Sequence, residues 1–217
     1  MLNIDAIRKG NMFRSPFQWG LIEDALPPES AMALSRDFPR GGFQYRTHKL
    51  GRFCRRPLFV LPDNQMPDIA NLPTEFCQLA AELNSPEYRQ ALSDLISVDL
   101  AQAPIEASFW RYDHAISFVP HLDLRGKIVT QVFYLNAQWP HRLGGSLRIL
   151  HSNDIEDVAF QISPRCNVSS IIVRSEKSWH GITPISSEAQ DSRNTLTVHF
   201  YHSNPEMIAE GLALAQA

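Results

Sequence analysis

After residue 104 the sequence breaks into short segments rich in β-branched and aromatic residues: EASFWRY (106–112), IVTQVFYL (128–135), GSLRIL (145–150), VSSIIV (168–173) and TLTVHFY (195–201). Gly, Pro, Asn and Asp clusters separate them, which is the pattern of strands joined by turns. So many short strands in succession leave few architectures, a sandwich or a barrel, and a helical region ahead of them packs on one face. The expected class is α+β, mainly β.

The helical region is read from three segments. SAMALSRDF (30–38), following Pro27-Pro28, places Ala31, Leu34 and Phe38 on one side. TEFCQLAAELN (74–84) repeats Phe76, Leu79, Ala80 and Leu83 at helical spacing, with Thr74 as the expected cap. Ser85-Pro86 opens PEYRQALSDLIS, with the proline in the first turn, where its missing N–H costs nothing. PEMIAEGLALAQA (205–217) reads as a terminal helix. No repeat, low-complexity tract or long linker divides the chain, so residues 1–217 are expected to form one domain.

Composition excludes several classes of function. A formal net charge of -3 argues against a general nucleic-acid binder. No run reaches the roughly 18 apolar residues of a membrane span, and MLNIDAIRKGNMF lacks the apolar stretch of a signal peptide. Cys54, Cys77 and Cys166 are odd in number and show no paired spacing, as expected of free thiols in the cytoplasm. One segment departs from this even composition. Residues 40–57 carry Arg40, Arg46, Lys49, Arg52, Arg55 and Arg56 with no acid among them. The segment reads as a loop, with room for a short hairpin. It is either a solvated surface or a lid whose Arg46 and Arg52 recruit an anionic substrate.

The chemistry starts from PHLDLRGKIVTQVFYLN (120–136). In an extended segment residues i and i+2 point to the same side, so His121 and Asp123 project together. A lone His-x-Asp is common and can be a hydrogen-bonded strand cap. Two neutral imidazoles and one carboxylate on one face, however, form the ligand set of an oxygen-activating divalent iron, leaving positions open for cosubstrate and oxygen. The histidine in the best context to complete that set is His180, in IIVRSEKSWHGITPI after the apolar VSSIIV, although a turn before Gly181 can also use a histidine structurally. Thirteen positions later Arg193 opens RNTLTVHFY, and its planar fork suits a dicarboxylate as well as an ion pair with Asp191 or Glu188. Alternation puts Leu196, Val198 and Phe200 on one face of that strand. Arg193, Thr195, Thr197, His199 and Tyr201 fall on the other, which faces water or lines a polar pocket.

From about Ala107 to Tyr201 the chain resembles the iron(II)- and 2-oxoglutarate-dependent oxygenases, above all their prolyl-hydroxylase-like branch. RYDHAISFVPHLD, VFYLN, GGSLRIL, SWHGITPI and RNTLTVHFY carry the resemblance, in that order. It implies a double-stranded β-helix, or jelly-roll barrel, over 105–203. Residues 1–104 then supply helical support and a substrate lid, and 204–217 a terminal helix or tail. It implies His121, Asp123 and His180 as iron ligands, Arg193 under the far carboxylate of 2-oxoglutarate, and Thr197 and Tyr112 beside it. Phe133 takes the place where some relatives have a second cosubstrate-binding tyrosine, so Tyr112 or Gln131 is expected to supply that hydrogen bond. Arg148 and His199 are candidates for contact with substrate, each with a structural alternative.

The cofactors implied are Fe(II), 2-oxoglutarate and O2, with succinate and carbon dioxide as co-products. In halogenating relatives a small residue replaces the carboxylate. Asp123 therefore favours hydroxylation, desaturation or ring closure. The expected substrate is a small anionic metabolite such as an amino acid or derivative, with neither nucleic acid nor membrane as partner. Hydroxylation of a protein side chain and a non-catalytic metal-binding sensor are the alternatives.

Overall fold

The computed structural model describes residues 1–48, 51–67, 71–114 and 118–209, with backbone alone at 46–48 and 51–53, and in it β-structure begins well before residue 104. The first half supplies β1 (Asn11–Phe13), β2 (Trp19–Glu23), β3 (Gln44–His48) and β4 (Gly51–Phe59). The second supplies β5 (Ile105–Tyr112), β6 (Phe118–His121), β7 (Lys127–Tyr134), β8 (Leu147–Leu150), β9 (Val158–Ile162), β10 (Val168–Val173), β11 (His180–Ile182) and β12 (Arg193–Tyr201). An eight-stranded sheet runs β1-β2-β10-β7-β12-β5-β4-β3, and a four-stranded sheet runs β6-β11-β8-β9. Their ladders are antiparallel, and the fold is the expected mainly β jelly roll.

Strand alternation divides the larger sheet into two working faces. On one, Phe109, Val129, Phe133, Ile171, Leu196, Val198 and Phe200 join the helices in the main core. Those helices are α1 (Ile4–Arg8), α2 (Pro28–Arg36), α3 (Thr74–Leu83) and α4 (Pro86–Ile96). On the other face Trp19, Tyr134 and Ile172 pack with Leu147, Ile149 and Ile162 of the smaller sheet. Strand β12 is buried at all nine positions, so its polar side faces the interior between the sheets and not water.

The helices follow the apolar stripes, with local corrections. Helix α4 starts at Pro86, as expected, and the Ser85 side chain caps it by accepting from the Tyr88 N–H. Helix α3 makes no side-chain cap. Pro73 holds the cap position and Thr74 is already in the first turn. Helix α2 starts at Pro28 and ends at Arg36. Phe38 still reaches the core, edge-on to Phe76 and Phe109.

Most of the basic segment 40–57 takes the hairpin form that the sequence left open. It forms the hairpin β3–β4, which extends the larger sheet by pairing with β5. Its arginines can enter a sheet because hydrogen-bond acceptors meet them. Arg55 donates to the Ser108 hydroxyl and pairs with Glu106, and Arg56 donates to the Gly41 carbonyl at 3.0 Å. Of the terminal segment, 205–209 is helical, and 210–217 lies outside the described residues. No helix among the described residues is long and apolar enough to cross a membrane.

Candidate active site

Strands β6 and β11 pair so that His121 and His180 stand opposite each other, with ring centroids 4.3 Å apart. Each ring is oriented in the same way. The Nδ1–H of His121 donates to the Val119 carbonyl and that of His180 to the Ser178 carbonyl, both at 2.9 Å. A proton held on Nδ1 leaves the Nε2 lone pair free, which is how a metal-binding imidazole is fixed in one tautomer. Asp123, just past the end of β6, brings its carboxylate to the same place. The donor atoms of His121, Asp123 and His180 all lie within 4.8 Å of one another.

Electrostatics put these groups in the forms a metal needs. Burial, helped by His180, pushes His121 down to about 3, and burial lowers His180 as well, so both rings are neutral at physiological pH. Burial alone would raise the Asp123 carboxyl. The ammonium of Lys127, 2.6 Å from Oδ1, is the foremost of the charges that outweigh it and hold the acid well below its ordinary value. Two neutral nitrogen donors and one anionic oxygen donor fit Fe(II).

Beside the triad lies a cavity of about 110 Å³, lined in part by Tyr112, Tyr134, Arg193 and Thr195. Arg193 is 2% exposed, and its guanidinium sits over the rings of Tyr112 (5.0 Å) and Tyr134 (5.2 Å). Among the described residues Arg193 makes no ion pair, neither with Asp191 nor with Glu188, and its Nε and the Thr195 hydroxyl are buried without a hydrogen-bond partner. A buried cation left without an anion is costly. The arrangement suits an anionic ligand. Gly145 makes room for the arginine side chain: its φ is +68°, and a Cβ there would come within 2.9 Å of Arg193 Cδ.

Residues 107–201 match the family model of the 2OG-Fe(II) oxygenase superfamily. Those residues carry the pattern of that superfamily. Its cofactors are therefore Fe(II), 2-oxoglutarate and O2, in keeping with the donor set and the anion-seeking arginine. Among solved structures, the oxygenase resembles a Pseudomonas putida prolyl-4-hydroxylase at 18% identity, covering 92% of this chain and 98% of that one, with a TM-score of 0.66. A Trichoplax adhaerens prolyl hydroxylase in complex with a peptide of hypoxia inducible factor matches at 13% identity, covering 95% and 91%, with a TM-score of 0.61. The alpha-ketoglutarate-dependent epimerase SnoN of nogalamycin biosynthesis matches at 11% identity, covering 92% and 81%, with a TM-score of 0.54. At such identities the likeness is one of fold, and the reactions in these names differ. A sequence comparison with curated proteins found no match.

Within the oxygenase, Tyr112, Thr197 and His199 line the cavity with the triad and Arg193. Two candidates do not. Gln131 lies on the helix-facing side of β7, where it accepts from the Tyr88 hydroxyl at 2.6 Å and donates to Ser169 at 2.9 Å, so it offers no hydrogen bond to a cosubstrate. Arg148 donates to Gln161, to the Ile155 carbonyl and to Glu156, all in its own sheet and the turn that follows. The tyrosine position is also corrected. Phe133 belongs to the core, and its neighbour Tyr134 is the residue in the cavity. The side chains of Arg46 and Arg52 lie outside the described residues.

Sequence reasoning missed Lys127, Thr130 and Tyr134, all of which line the cavity. For Thr130 and Tyr134 the signal was present, since β7 alternates and Thr130, Val132 and Tyr134 share one face. For Lys127 there was none.

Proposed function

We propose that the chain is an Fe(II)- and 2-oxoglutarate-dependent hydroxylase. His121, Asp123 and His180 hold the metal, Arg193 anchors the cosubstrate, and the reaction inserts oxygen into a C–H bond of a small anionic metabolite such as an amino acid or derivative. The observation that carries this reading is Arg193, a buried arginine with an unpartnered Nε, beside a triad of two neutral imidazoles and a carboxylate.

The bound metal and cosubstrate supply the oxidant: R–H, O2 and 2-oxoglutarate give R–OH, succinate and carbon dioxide. The protein's part is positional. The guanidinium of Arg193 takes the far carboxylate of the cosubstrate through charge-assisted hydrogen bonds, and the Thr195 hydroxyl, buried and unpartnered, donates to the same group. Burial pushes the Tyr112 hydroxyl up to about 12 and raises that of Tyr134, so both stay protonated as donors beside the anion. The neutral imidazoles keep their lone pairs available, and Asp123 offsets part of the metal's charge. A carboxylate at 123 also occupies the position that a halide needs, which favours hydroxylation over halogenation.

Hydroxylation of a protein side chain is the second reading. It is favoured by the fold shared with prolyl hydroxylases, one of them in complex with a peptide. The test is a metabolite screen with Fe(II), 2-oxoglutarate and O2, followed by mass spectrometry for a gain of one oxygen and by succinate release. A small acid that gains oxygen with matching succinate supports the proposal. Oxygen gained only by peptides moves the assignment to the second reading. Absence of any turnover, with or without candidate substrates, leaves a metal-binding sensor.

A further inference from the structure

Four side chains, Asp123 among them, close into a ring at the wall of the cavity. Lys127 Nζ lies 2.6 Å from Asp123 Oδ1 and 3.5 Å from His199 Nε2. Thr130 Oγ1 lies 2.7 Å from Asp123 Oδ2 and 2.8 Å from His199 Nδ1. Donor chemistry sets the direction of every bond. An ammonium only donates, so His199 Nε2 accepts and the imidazole proton sits on Nδ1, which donates to Thr130 Oγ1. That leaves the Thr130 hydroxyl proton for Asp123 Oδ2. Both carboxylate oxygens thus receive a donor, and the torsion of the carboxylate is fixed.

The position of Lys127 makes an ordinary ion pair a poor account. The pair is 12% and 7% exposed at its two side chains, and so buried a pair contributes little net stability. Its effect is on orientation. One lone pair on each oxygen is engaged in this way, and the carboxylate still lies within 4.8 Å of the donor nitrogens of both imidazoles.

We propose that Lys127 is a positioning residue for the metal-binding carboxylate: with Thr130 and His199 it locks Asp123 in the orientation that completes the donor set with His121 and His180. This rests on the reading of that triad as the metal centre. Groups that orient metal ligands in this way typically change metal affinity 10–100-fold when removed. A cation that merely fills the space of the ion would do the opposite, because its loss would tighten binding.

The experiment titrates metal-free protein with Mn(II), following the free ion by electron paramagnetic resonance, and records the visible spectrum of the Co(II)-loaded form. The proteins are the wild type, Lys127→Met, Lys127→Arg and Thr130→Val. The expected result is a Kd for Mn(II) raised about 10–100-fold in Lys127→Met, with an altered Co(II) spectrum, substantial recovery in Lys127→Arg and a smaller rise in Thr130→Val. A folded Lys127→Met with the Kd and Co(II) spectrum of the wild type overturns the proposal, as does one that binds Mn(II) more tightly. If Lys127→Met does not fold, Lys127→Gln and Thr130→Val carry the same comparison, and unchanged affinity in both overturns it equally. A wild type that binds no metal removes the metal-centre reading itself. Unchanged variants beside a metal-binding wild type remove only the role of Lys127.

Discussion

His121 and His180, far apart in the sequence, are cross-strand partners with their rings 4.3 Å apart. The β6–β11 register sets that distance. A slip of one residue in β11 would turn His180 to the opposite face and leave Gly181 in its place. The spacing of the donor set is therefore a property of the ladder as much as of the side chains.

Removing a donor should abolish turnover. Asp123→Ala and His180→Ala are both expected to bring succinate formation to background with Fe(II), 2-oxoglutarate and substrate. They should differ in stability. Asp123→Ala leaves the Lys127 ammonium buried without its counterion, a loss of roughly 3–5 kcal/mol, whereas His180→Ala leaves no unpaired charge. Denaturant melts of the two metal-free variants check this, and equal stabilities would mean that Lys127 finds another partner.

Arg193→Ala should raise the KM for 2-oxoglutarate by about 10–100-fold, corresponding to roughly 1.5–3 kcal/mol for hydrogen bonds to a charged group. Gly145→Ala should move it in the same direction without touching a charge, because its added Cβ would press within 2.9 Å of Arg193 Cδ at a φ of +68°. Steady-state kinetics with varied cosubstrate measure both.

Gln131→Leu should behave as a core substitution. It strands the Tyr88 hydroxyl and the Ser169 side chain inside the protein, at a cost of about 1–3 kcal/mol. Its KM for 2-oxoglutarate should match the wild type, and a raised KM would return Gln131 to the cosubstrate pocket.

The metal-free protein should lose stability on mild acidification. His121 is pushed down to about 3 in the fold, against an ordinary 6.5, so between these values the unfolded chain binds a proton that the folded chain does not. Stability therefore falls as pH drops below 6.5, by up to about 1.4 kcal/mol per pH unit for such a group. His180 and His199 are lowered as well and act in the same direction. Asp123 contributes only when pH falls below the ordinary carboxylate range. Urea melts at pH 7.5, 6.5 and 5.5 should show the slope, and His180→Gln should flatten it.

Of the strands of the second half, β5, β7, β8, β10 and β12 were legible because each is a short run of β-branched and aromatic residues between turn formers, whereas β6, β9 and β11 were not read as strands. β7 and β12 run almost as read, at Lys127–Tyr134 and Arg193–Tyr201. The strands of the first half were not. β4 carries Gly51, Arg52, Arg55, Arg56 and Pro57, a composition that argues for solvent. Ser108 and Glu106, which lie in β5, help make a sheet position acceptable to Arg55.

By itself the sequence determined the donor chemistry and its local spacing: a histidine and an aspartate on one side of an extended segment, a second histidine after an apolar strand, and an arginine opening the last strand. Alternation also divided each strand into two faces. Only the tertiary structure decided which face meets the cavity and which meets the helices, and so replaced Gln131 and Phe133 with Thr130 and Tyr134. Only it brought Lys127 against Asp123 and left Arg193 without an acid among the described residues. The physical reason is that side-chain period is a local property of the backbone, whereas the partner of a buried charge is set by strand register and sheet packing across the whole chain.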